Sequence, residues 1–164
     1  MKIRKAVSVV AALALSSALA APAFAVVVSR TDGQPMNPNG EPFSATGITA
    51  LSKGTISANC TATFNGTITP TGSVVITSAQ FTGGGTCGLI SAGGTPWTGQ
   101  ADTATQLSIN NVKVAVTLLG NCGPSKVVAA WSDPNSSLTF NNAALTPDCK
   151  VSGTLLTSPK LHVQ

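Results

Sequence analysis

In "NVKVAVTL", residues 111–118, the side chains of Val112, Val114, Val116 and Leu118 alternate with Lys113, Ala115 and Thr117. A two-residue period places the four apolar groups on one face of an extended chain, which predicts a β-strand with one buried side. Short apolar runs recur from Ala45 onward: "ATGITALS", "GTISANCTATF", "GTITP", "SVVITSAQF", "LSINNVKVAVTLLG", "KVVAAWS", "SSLTF" and "KVSGTLLTS". Turn sequences separate several of them, as in "PTGS" at 70–73 and "SDPNSS" at 132–137, and "GGG" at 83–85 makes a further break. Gly and Pro interrupt the chain too often for long helices, whereas Thr and Val suit a pleated, half-buried surface. The pattern predicts an all-β fold, an antiparallel β-sandwich or partly closed barrel.

The N-terminal pattern is different. Lys2, Arg4 and Lys5 precede an apolar stretch at 6–20, and "AFA" at 23–25 supplies small residues of the kind cleaved by signal peptidase. The expected organisation is therefore a secretory signal at 1–25, an extended leader at 26–44 and a single β-domain at 45–164. The apolar stretch is shorter than the roughly 20 residues that span a bilayer, so no membrane span is expected after processing. The new N-terminus would open with Val26, Val27, Val28 and Ser29, a short strand followed by the Pro-, Asn- and Gly-rich segment 31–42, read as extended or mobile.

Charge changes meaning once the signal is set aside. The chain carries nine Lys and Arg against five Asp and Glu, but three of the nine lie in the signal. The remaining Arg30, Lys53, Lys113, Lys126, Lys150 and Lys160 are spread singly, so no basic track for a phosphate backbone forms and nucleic acid is not an expected partner. A chain this poor in charge and this rich in Val, Ile, Leu and Phe has enough to bury and should fold.

The chemistry that remains centres on four cysteines. Cys60 precedes Cys87, and Cys122 precedes Cys149, by the same number of positions. Overlaying the two segments aligns their turns and sets Ile76 on Leu138 and Thr77 on Thr139, a weak internal repeat of strand, turn, strand and cysteine. Export and an even cysteine count point to disulfides. Zinc would call for close Cys spacing or histidine ligands, and His162 is the single histidine, so no metal is expected. Three pairings are open; the equal spacing favours Cys60 with Cys87 and Cys122 with Cys149.

No catalytic constellation is legible, and neither catalytic residues nor cofactors are expected. Asp32, Glu41, Asp102, Asp133 and Asp148 are scattered, and His162 stands near the C-terminus, where tails are commonly mobile. "TGGGTCG" lacks the phosphate-loop spacing and its Lys. Asn59, Asn65 and Asn135 begin formal glycosylation sequons, which carry little weight alone. Trp97 and Trp131 read as core anchors; Trp97, in the glycine-rich "GGTPWTG", is also a candidate contact for an apolar surface.

In "CGLISAGGTPWT" at 87–98, "NNVKVAVTLLGNCGPS" at 110–125, the Asn59-Cys60-Thr61 segment and "SSLTFNNAAL" at 136–145, the sequence resembles the bacterial protein activator of alkane oxidation family, PraA and PraB. The resemblance runs from Phe43 to the end. It implies a secreted, non-enzymatic accessory protein that promotes growth on hydrocarbons by emulsifying or delivering alkane, with oxidation done by other enzymes. The implied partner is a hydrophobic substrate or an oil–water interface, and the location is extracellular, or periplasmic without further export. Sparse charge is compatible with that role, because few ions need be desolvated against hydrocarbon. The alternative expectation is a structural subunit of an extracellular fibre or biofilm matrix, self-associating through residues 26–29 by adding a strand to a neighbour. A third reading, an apolar ligand held between sheets, would show as co-purifying lipid.

Overall fold

The computed structural model describes residues 26–117 and 120–164; the expected signal at 1–25, and Leu118 in the alternating run, lie outside them. Among the described residues the strands are β1 Val28–Arg30, β2 Glu41–Lys53, β3 Ile56–Ile68 and β4 Ser73–Thr82, then a 3₁₀ helix Gly85–Leu89, then β5 Ile90–Gly93, β6 Trp97–Thr103, β7 Gln106–Val116, β8 Gly120–Ser132, β9 Ser137–Leu145, β10 Cys149–Ser158 and β11 Leu161–Val163. Hydrogen bonding runs β7-β6-β4-β3-β2-β10-β9-β8, and β8 pairs back onto β7. All these pairings are antiparallel. The ring is thus an eight-stranded antiparallel closed barrel, the more closed form of the expected architecture. Closure removes the open edges that a sandwich would present. β5 continues beside β7 beyond the end of β6, with Ile90 opposite Val116.

Alternation explains the barrel. On β3 the buried positions are Ala58, Cys60, Ala62, Phe64 and Ile68, and on β7 Val112, Val114 and Val116 point inward. An eight-stranded barrel is just wide enough for side chains to fill it, and here small groups such as Ala45, Ala62, Ala101 and Ala129 offset large ones. Phe64 sits at the centre, edge-to-face with Phe81, Trp97 and Phe140 at ring-centroid distances of 6.4, 5.9 and 6.3 Å. Gly47 matters for closure: a Cβ there would lie 2.0 Å from the Thr154 carbonyl oxygen, so only glycine admits this approach of β10 to β2.

Trp97 corrects the surface-contact expectation. It opens β6, is 1% exposed, and donates from its indole N–H to the Gly93 carbonyl at 2.9 Å. The glycine-rich sequence around it forms the β5–β6 connection, which turns the ring into the core.

The two ends of the barrel are closed differently. At one end β1 and β11 form a two-stranded sheet that buries Val28, Leu161 and Val163. Residues 26–29, the candidates for self-association, are engaged here within the chain: Val28 pairs with Val163, and the Val27 amide donates to Gln164 at 2.7 Å. Asp133 fastens this cap by accepting from the Trp131 indole and the Val163 amide and by pairing with His162. His162 is accordingly held in a paired strand, not in the loose tail expected from its position. Arg30 binds Asp32 and Glu41, and Glu41 accepts the Asn37 amide, so the segment between β1 and β2 is tied down.

At the other end stand both disulfides, Cys60–Cys87 and Cys122–Cys149, with Cα separations of 5.6 and 5.8 Å. This is the pairing that equal spacing favours. Each bridge spans one strand–turn–strand unit, β3–β4 in one case and β8–β9 in the other, but β3 and β4 pair from Thr61 to Ile68 whereas β8 and β9 pair only from Ala130 to Ser132.

Candidate functional site

On the outer wall, side chains at alternate positions of β10, β2 and β3 face away from the core. β10 contributes Thr154 and Leu156, β2 contributes Thr46 and Ile48, and β3 contributes Thr61 and Thr63. Their register is fixed by the pairs Leu156 with Thr46, Thr46 with Thr63, and Ile48 with Thr61. Ile48 is 63% exposed and Leu156 58% exposed. They are diagonal neighbours on adjacent strands, a spacing of about 7–8 Å that lets large side chains form one patch.

The polarity around this patch is of a particular kind. None of these positions is ionisable, and the flanking outward residues Ser44, Ala50, Asn59, Asn65 and Ser152 are neutral too. Several hydroxyls satisfy one another: Thr46 donates to Thr63 at 3.2 Å, and Thr139 and Thr154 share a bond of 2.9 Å. A hydroxyl already bonded to its neighbour loses less when water leaves, so the face meets an apolar phase at lower desolvation cost than a charged one.

The interior offers less room. An apolar cavity of about 40 Å³ lies beneath β11, bordered by Phe43, Ile76, Trp131 and Leu161. A second of about 30 Å³ lies across Phe64, bordered by Phe81, Trp97 and Phe140. An apolar protein cavity of roughly 150 Å³ takes benzene. As packed, neither of these two cavities has space for a hydrocarbon chain.

Several ionisable residues make contacts within the fold. Asp102 accepts from the Ser108 hydroxyl at 3.2 Å, Asp148 lies 3.7 Å from Lys53, and Asp133 holds the cap. The Arg30 bonds and the backbone amide of Gln34 hold the Asp32 carboxyl below its ordinary range. The Asn37 amide, followed by Arg30, does the same for Glu41, and the two carboxylates raise Arg30 further. Among the described residues no group of three or more His, Cys, Asp and Glu is arranged to hold a metal, and no helix is long and apolar enough to cross a membrane.

Sequence reasoning named the cysteines and Trp97 but not Ile48 or Leu156. A signal was present: in "TLLT" at 154–157 two adjacent leucines sit on one strand, and alternation forces one of them outward. No curated protein and no solved structure matches the chain. A family model described as alkane oxidation protein activator PraA/PraB-like matches residues 1–164, including the 31–42 segment, and the chain belongs to that family.

Proposed function

We propose that this protein is a secreted, non-enzymatic accessory of alkane oxidation that adsorbs at the oil–water boundary through the outer wall of β10, β2 and β3, dispersing alkane for oxidising enzymes elsewhere. The observation that carries the reading is the neutral patch with Ile48 and Leu156 largely exposed on it. Burying the part of each side chain still exposed yields about 1–2 kcal/mol each, with no ion to desolvate in return. Two disulfides support export to an oxidising compartment, as does the signal-like pattern at 1–25.

The test is genetic and biochemical together. A strain lacking the protein is grown on hexadecane and on a soluble carbon source, with and without added pure protein. Rescue confined to hexadecane supports the proposal; rescue on both, or on neither, contradicts it.

A further inference from the structure

The inward-facing series of β2 ends in a charged side chain at each mouth of the barrel, and the two ends are not equally matched. Glu41, 8% exposed, receives Arg30 at 2.6 Å and the Asn37 amide at 3.0 Å. Lys53, whose side chain is 17% exposed, has the Asn121 carbonyl at 3.3 Å and the Asp148 carboxylate at 3.7 Å, the latter 56% exposed. An ion pair that long and that open is readily exchanged for another anion.

Lys53 also borders an apolar cavity of about 80 Å³, walled by Leu51, Ile56, Leu89, Ile90 and Val116. Both disulfides frame this mouth. Cys87 fastens the 3₁₀ helix carrying Leu89 to β3, while Asn121 and Asp148 adjoin the cysteines of the second bridge. Ile56 stands at the rim, 43% exposed. An apolar pocket with one ammonium at its edge matches an amphiphile in shape and in charge.

We propose that this mouth binds a straight alkyl chain bearing an anionic headgroup, with the headgroup on Lys53 Nζ in place of Asp148. The first few methylenes fill the cavity and the remainder of the chain runs out over Ile56. The site is separate from the outer wall and independent of the interfacial proposal.

Calorimetric titration of the purified protein with decanoate, decanol and decyltrimethylammonium, each below micelle formation, tests this. Decanoate is expected to saturate one site and to bind at least about tenfold more tightly than decanol, with decyltrimethylammonium not binding. Lys53→Gln should weaken decanoate about tenfold or more and Lys53→Arg should retain it. Asp148→Asn, an exposed change that leaves the fold intact, should strengthen it by removing the competing carboxylate. Decanol binding as tightly as decanoate, Asp148→Asn leaving affinity unchanged or lower, or a folded Lys53→Gln that binds normally would overturn the proposal. Tensiometry on Lys53→Gln keeps the two proposals apart: it should adsorb to hexadecane like the native protein whatever the titration shows.

Discussion

Trp97 shows how one residue serves the whole core. Its ring meets Phe64 at 5.9 Å and its N–H is satisfied by Gly93, so neither its volume nor its polar atom is spare. Trp97→Ala should destabilise by about 3–5 kcal/mol, read as a lower midpoint in urea unfolding. Gly47→Ala acts by another route, since its Cβ would meet backbone 2.0 Å away; pairing of β2 with β10 should be lost, and chemical shifts of both strands should move. The outer residues behave in the opposite way. Ile48→Ser and Leu156→Ser remove side chains that touch little, so each should change stability by no more than about 0.5 kcal/mol. That contrast separates residues that build the barrel from those that use it.

Between β1 and β2 lies an acid-sensitive tie. Asp32 and Glu41 titrate below their ordinary values because Arg30 and backbone amides favour the charged forms. The stabilisation is full above the unfolded values, near pH ~4, and is lost as pH falls through the depressed folded values. Below pH ~4, NMR signals of Val28 and Ser29 should therefore move before those of β7 and β8, and Arg30→Gln should abolish the difference. At the opposite end, reduction of the two bridges should remove roughly 3–4 kcal/mol per bridge on the chain-entropy account, measured as a fall in the unfolding midpoint with dithiothreitol. The elements themselves were unevenly legible. β2, β3, β4, β7, β8, β9 and β10 each carry apolar alternation or a turn that marks them. β6, "WTGQADT", has a single large apolar group, and β11, "LHV", is too short to show a period; both exist because neighbours pair with them.

At the scale of the molecule, local patterning pointed to the β class and equal cysteine spacing favoured the observed pairs, but neither contained the closure. Closing the ring requires β10 to lie against β2, as in Leu156 opposite Thr46, a contact between distant segments that no short window contains. The same pairing assembles the candidate site, because Ile48 and Leu156 become neighbours only when those strands meet. Tensiometry at a hexadecane–water boundary tests the central claim most directly, comparing native protein with the Ile48→Lys/Leu156→Lys double variant at equal protein concentration. Native protein should lower the tension and the double variant, folded and equally stable, should lose most of that effect; equal activity of the two, or none in the native protein, would contradict the account.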